Sequence, residues 1–324
     1  MSRKQIIIDT DPGIDDAVAL LLAFASPELD VLGITTVAGN VPVAMTARNA
    51  CKICELAAHQ NVPVYSGAPG PLVREQFLGK YPEHGGLGKD VLAENEKSPE
   101  AKHAVQFLVQ ASMAARARGE KITLCTIAPQ TNIALALAMD PDFGAGIEEI
   151  VMMAGAFRAL GNRVPWAEFN VLADPHAAHV VLRSGIPIRM VPLDLTLQVL
   201  VTPERLTRIS QIGGVLGEKI ISLLTAYDRN DVARYGVMGG PLHDPVVIAA
   251  VIQPDLLSGS LAHVGVELQS DTTLGHTYVD LYGKFDAPRN VQVQMQIDVD
   301  AFFDLLIDRL GRLGTTQPAT VKPS

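Results

Sequence analysis

The chain has 324 residues, 48% of them hydrophobic and 19% charged, with a formal net charge of −9. That is ample for one large α/β domain or two smaller ones. The acidic balance argues against nucleic acid as a partner, since phosphate binding needs a basic face. No apolar run approaches the roughly 20 residues needed to cross a bilayer, and three cysteines give no disulfide framework.

In chain order, Met1-Ser2-Arg3-Lys4-Gln5 runs straight into an apolar segment and leaves no room for a signal peptide. A cytoplasmic location is therefore expected. Ile6-Ile7-Ile8 is short and β-branched, which predicts a buried strand. Residues 17–23 are rich in Ala and Leu, which predicts a buried helix. Pro12 and Gly13 make the turn between them. Strands are then expected at Leu29–Thr36, 62–65, Ile122–Thr126, 149–153 and Ile188–Val191, with helices at 45–58, 102–118, 132–139 and 175–184. This alternation predicts a mostly parallel sheet with helices on both faces. A helix-rich stretch, 203–235, interrupts the pattern. A helix starts near Val246. Residues 262–268, 277–282 and Val291–Ile297 predict strands of a smaller sheet or hairpin, and 301–310 a closing helix. No linker or repeat divides the chain, so residues 1–313 read as a single domain and the polar tail 314–324 as disordered. Two long loops, 66–99 and 155–174, follow strands and should lie at one sheet edge. Cys51 and Cys54 form a C-x-x-C pair inside a predicted helix rather than at its start, which favours buried structural thiols over a redox pair.

The densest feature is Asp9-Thr10-Asp11-Pro12-Gly13-Ile14-Asp15-Asp16, which puts carboxylates at the C-terminal edge of a strand and on the next helix N-terminus. Ligands bind at that edge in open α/β sheets. Like charges there repel unless neutralised, and a hard divalent cation with oxygen ligands is the economical solution. Either Asp15 or Asp16 taken alone would read as a helix cap.

Further polar clusters follow predicted strands: Asn40, Thr126 to Asn132, Gly161-Asn162, Glu168-Phe169-Asn170 and His243-Asp244-Pro245. Together they describe a pocket rich in carboxylates and amides, without an obvious nucleophilic Ser or Cys. That inventory suits a metal-held water and a polyhydroxylated substrate such as a sugar. Asn132 reads more simply as a helix cap. His84, in a Gly-rich loop, reads equally as solvated or functional. His243 beside Asp244 favours function. Trp166 reads as loop packing or a subunit contact, and the other six histidines as structural.

Asp9 to Ala17 resembles the N-terminal signature of the nucleoside hydrolases, the nucleoside N-ribohydrolase family. The resemblance continues through Thr35 to Asn40, Pro129 to Ala134, Ala167 to Asn170 and Pro241 to Pro245, spanning roughly residues 5–310. It implies a single α/β domain, one bound calcium ion (Ca2+) and a homodimer or homotetramer. It also implies calcium ligation by the carboxylates of Asp11, Asp16 and Asp244 and by the main-chain carbonyl of Ile127. Ribose hydroxyls would be held by Asp15, Asn40, Asn162, Glu168, Asn170 and Asp244, with Met153 lining the sugar pocket. Asp11 would act as general base, and Asn162 and Glu168 would stabilise an oxocarbenium-like ribose. His243 is the candidate acid for the departing base, and His84 would help cover that base.

Gly239 to His243, with Tyr235 eight residues before His243, resembles the pyrimidine-preferring branch, which makes uridine the first-choice substrate; Asp231 departs from that branch's usual Gln. Purine or broad specificity is the alternative. A magnesium-dependent phosphohydrolase, suggested by the D-x-D, and an inactive ribose-binding protein are the rivals from other classes.

Overall fold

The computed structural model describes residues 3–79, 82–227 and 232–316. The first half alternates strand and helix: β1 (Lys4–Thr10), α1 (Ile14–Phe24), β2 (Leu29–Thr36), α2 (Val43–Leu56), β3 (Val64–Ser66), α3 (Ala104–Ala117), β4 (Ile122–Thr126), α4 (Thr131–Met139) and β5 (Ile147–Met153). Then come α5 (Phe169–Ala173), α6 (Pro175–Leu182), β6 (Ile188–Val191), α7 (Leu193–Thr196), β7 (Leu200–Val201), α8 (Pro203–Ser210), α9 (Gly214–Leu224), α10 (Val232–Tyr235) and β8 (Gly240–Pro241). The chain closes with α11 (Pro245–Ile252), β9 (Leu257–Val266), β10 (Thr277–Asp280), β11 (Val291–Ile297) and α12 (Val299–Thr316).

Nine strands form one sheet in the order β10-β9-β11-β6-β5-β4-β1-β2-β3. From β3 to β6 every pair is parallel. The strands buried on both faces carry apolar side chains toward both helix layers. Ile6 and Ile8 point into a core built with α1, α11 and α12. Ile7, between them, points into a second core with α3, α4 and α6. The chain winds outward from β1 to β2 and β3, then returns to β4 on the other side of β1. That reversal opens a crevice beyond the carboxyl ends of β1 and β4, where ligands of doubly wound sheets bind.

The late strands differ from expectation in one respect. They are antiparallel to one another, as a hairpin would be, but β11 pairs in parallel with β6, so they extend the main sheet. Alternation in sequence does not encode which neighbour a strand takes. Residues 155–174, read as loop, contain α5, and α12 continues into the segment read as tail. The rest of that tail lies outside the described residues, as does Asp231. Among the described residues no helix is long and apolar enough to cross a membrane.

Candidate active site

The turn after β1 folds its carboxylates inward. Gly13, not an aspartate, is the N-cap of α1. Asp16, three residues on, reaches back: Oδ2 accepts the Gly13 N–H at 2.9 Å, and Oδ1 accepts the Thr10 hydroxyl at 2.6 Å and the Asp11 N–H at 3.2 Å. Its capping contact is thus one of several. Asp15, Asp16 and Asp244 each place a carboxylate oxygen within 4.8 Å of the others. Asp244 comes from the start of α11, which packs against α1.

Asp11 adjoins this group and is fully buried. Its Oδ2 accepts the Asn40 N–H at 2.6 Å, while Asn40 Nδ2 donates to the Asp11 carbonyl at 3.1 Å and to Asp16 Oδ2 at 3.3 Å. Asn40 therefore ties the end of β2 to the aspartate turn. Gly39 makes this possible, since a Cβ there would stand 2.1 Å from Asp11 Oδ2.

Burial dominates the electrostatics. It pushes Asp11 and Asp244 well above the ordinary carboxylate range, and neighbouring aspartate charges push the same way. Asp16 is pushed up to about 6, by burial and then by Asp15. Neighbouring carboxylates, with burial opposing the charge of Asp11, Asp16 and Asp244, call for a positive group to offset them.

The second half of the pocket grows from β4 and β5. Asn170 Nδ2 donates to the Met153 carbonyl at 3.0 Å and to the Ile127 carbonyl at 3.3 Å, bridging the two strand ends. Glu168 caps α5. Its Oε1 accepts the Asn170 N–H at 2.7 Å, and its Oε2 accepts those of Gly155 and Val171 at 3.1 Å each. Burial nevertheless raises it to about 7. Asn162 Oδ1 accepts the Phe169 N–H at 2.9 Å.

His243 is half-buried, with Nδ1 2.7 Å from the Thr196 hydroxyl on α7. His84 sits at the end of a 3-10 turn, 44% exposed, with its ring edge-on to Tyr227 at 5.4 Å and paired with Glu83 at 3.5 Å. Tyr235 ends α10, but its side chain lies outside the described set.

Two amides do more than the sequence suggests. Asn132 is not a cap; Gln130 occupies that position. Instead Asn132 Nδ2 donates to Asp9 Oδ1 at 2.8 Å and to the Thr36 carbonyl at 3.0 Å, and its Oδ1 accepts the Ala68 N–H at 2.9 Å. It joins the ends of β1, β2 and β3 beneath the pocket. Asn49, inside α2, donates to the carbonyls of Pro12 at 3.0 Å and Gly85 at 2.8 Å, docking the His84 loop on the aspartate turn. A buried Asn in a helix interior is the only sequence signal for it. The Trp166 indole donates to the Leu274 carbonyl at 3.3 Å, a packing role within the chain. Cys51 and Cys54 are buried, and burial pushes their thiols up to about 11 and about 12, in keeping with inert thiols.

The model of inosine-uridine preferring nucleoside hydrolases matches residues 6–304. The pyrimidine-specific ribonucleoside hydrolase RihB of Escherichia coli is 39% identical over 308 residues, covering 94% of this chain and 96% of that protein. An uncharacterized protein of Schizosaccharomyces pombe is 44% identical over 311 residues, 95% of this chain and 99% of its own. The solved structure of a purine-preferring ribonucleoside hydrolase from Gardnerella vaginalis superposes with a TM-score of 0.87 at 30% identity, covering 97% of this chain and 100% of that one.

Proposed function

Because the chain belongs to the family of inosine-uridine preferring nucleoside hydrolases, we propose that it holds calcium in its carboxylate cluster and cleaves pyrimidine ribonucleosides, uridine foremost. It is a ribonucleoside hydrolase, an enzyme that cleaves N-glycosidic bonds. Family membership displaces the phosphohydrolase and the inactive sugar-binding readings. A cytoplasmic homodimer or homotetramer completes the proposal.

The observation that carries the metal reading is the convergence of Asp15, Asp16 and Asp244 beside Asp11. All the donors are oxygens, which suits a hard cation better than zinc. Asp11, Asp16 and Asp244, with the Ile127 carbonyl, would hold the ion. Once bound, the ion offsets the carboxylate charge and makes a water more acidic. Asp11 takes the proton of the attacking water, while its Oδ2 accepts the Asn40 N–H that fixes the carboxylate in place. Asp15, Asn40, Asn162, Glu168, Asn170 and Asp244 hold the ribose hydroxyls, and Met153 lines the sugar. Glu168 and Asn162 face positive charge developing on the ribose. His243 donates a proton to the leaving base from Nε2, since Nδ1 is engaged by Thr196. Tyr235 orients the base and His84 covers it.

Removal of the metal tests the cluster directly. Metal analysis should find about one calcium per chain, and a chelator should lower the melting temperature. Burial raises the folded-state pKa of Asp16 to about 6, so its contribution to metal-free stability is present at acid pH and lost as pH rises through about 6. The melting-temperature gain on adding calcium should therefore grow as pH rises from about 4 through about 6, as metal-free Asp16 loses its proton. Stoichiometric zinc, or no response to chelation, sinks the assignment.

Base preference rests on the likeness to RihB and on Gly239 to His243; the likeness to a purine-preferring enzyme supports the alternative. Uridine, cytidine, inosine and adenosine should be compared side by side, with nitrophenyl riboside as a substrate that needs no base protonation. Uridine is expected to turn over fastest. His243→Ala should lose about 10²–10⁴ in kcat on uridine and far less on the nitrophenyl compound. Faster inosine than uridine removes the pyrimidine reading. Equal losses on both substrates reassign His243 to the sugar or the metal.

A further inference from the structure

Arg163 follows Asn162 directly and is half-buried, yet no carboxylate pairs with it among the described residues. Its guanidinium instead lies 4.7 Å from the ring centre of Phe77 and 5.4 Å from that of Phe169. Those rings are themselves 6.4 Å apart. Nη1 donates to the Leu78 carbonyl at 3.0 Å. One side chain thus joins the two long loops at the sheet edge, by stacking and by a hydrogen bond to backbone.

The segment it grips touches the acid half of the pocket. The Gly79 N–H donates to the Gly39 carbonyl at 2.9 Å. A Cβ on Gly79 would stand 2.7 Å from the Asn40 carbonyl oxygen and 2.8 Å from its Cα, so the two backbones are in direct contact. Asn40 in turn holds Asp11 and Asp16. At the other end, Phe169 stands between Glu168 and Asn170 in sequence and donates its N–H to Asn162. Contact therefore runs from Asp11 through Asn40 and Gly79 to Phe77, then through Arg163 to Phe169. Burial lowers the Arg163 pKa from the ordinary arginine value.

We propose that Arg163 is a positioning residue: it clamps segment 77–79 against Asn40 and thereby sets the spacing between the Asp11–Asn40 half of the pocket and the Asn162–Glu168–Asn170 half. Its hydrogen bond and ring contacts go to Leu78, Phe77 and Phe169, none of them a proposed metal ligand. It preorganises the pocket, so its loss transfers an ordering cost to substrate binding. This inference rests on the pocket being the ribonucleoside site, and its test includes a readout that does not.

Arg163→Met keeps the apolar stem and removes the fork; Arg163→Lys keeps the stem and the charge but not the planar fork. Both are expected to raise KM for the best ribonucleoside about tenfold while kcat stays within about twofold. Lys fails to rescue because an ammonium neither stacks on both rings nor presents a planar fork. Phe77→Leu should raise KM similarly, and the Phe77→Leu/Arg163→Met double variant should be little worse than either single. Without substrate, hydrogen exchange at the Gly79 amide should quicken in each variant while the Ile7 amide stays protected. Unchanged Gly79 exchange overturns the clamp. So does faster exchange with an unchanged KM, or rescue by Lys. A fall in kcat at constant KM overturns it too, because Arg163 would then act on the reacting sugar. Failure of the wild type to cleave any ribonucleoside would remove the functional reading, and the exchange data would still decide the clamp.

Discussion

Asp11→Asn is expected to lower turnover of the best ribonucleoside by about 10²–10⁴ while leaving the fold intact. The substitution preserves shape in a fully buried position, and the amide oxygen can still accept the Asn40 N–H. What is lost is a group able to take a proton from water. Loss of a metal ligand is a second possible cause, so kcat is to be measured at increasing calcium until it no longer changes. A deficit that persists at saturation belongs to the base. The metal-free variant should melt no lower than metal-free wild type, since one charge leaves a cluster in which burial and mutual repulsion oppose ionisation. A fully active Asp11→Asn enzyme contradicts the assignment.

The second large effect concerns the sugar. Uridine should exceed 2′-deoxyuridine in kcat/KM by about 10⁴ or more. The groups assigned to the hydroxyls, Asn40, Glu168, Asn170 and Asp244, are buried or half-buried within networks that leave them little freedom to find other partners. A missing hydroxyl strands an acceptor or donor away from water, and that desolvation cost is not recovered. The measurement is steady-state ribose release from both nucleosides over a common concentration range. Comparable rates would mean that the hydroxyl groups are not read by buried partners.

Much of this was legible in the residues themselves. A β-branched triplet, a Pro-Gly turn and an Ala/Leu run specify β1, the turn and α1, because each is a local choice with one cheap solution. Their placement at a sheet edge follows from the βα alternation, whereas His243 and Asp244 reach the site from the start of α11, after a strand of the separate two-stranded sheet. What could not be read is where long-range hydrogen bonds go. Asn132 and Asn49 look locally like a cap and a helix interior, but their partners are 64, 96 and 123 residues away for the first and 37 and 36 for the second. Thr196 beside His243 is likewise a contact across 47 residues. The parallel pairing of β11 with β6 was hidden for the same reason. Helix α5, five residues long, is too short to show a periodic pattern.

Glu168 shows how closely fold and chemistry are entangled here. A carboxylate offers about four lone-pair sites, and three are taken by the N–H groups of Gly155, Asn170 and Val171. Oε2 is saturated by two of them, which leaves a single seat on Oε1. On the proposed reading, Glu168 can therefore receive one sugar hydroxyl, from a direction dictated by the first turn of α5. Exchanging Glu168 for Gln would turn an NH2 group toward backbone donors on either face. The resulting defect would be a collision of donors inside the scaffold, and inactivity of such a variant would measure the helix start as much as the reaction.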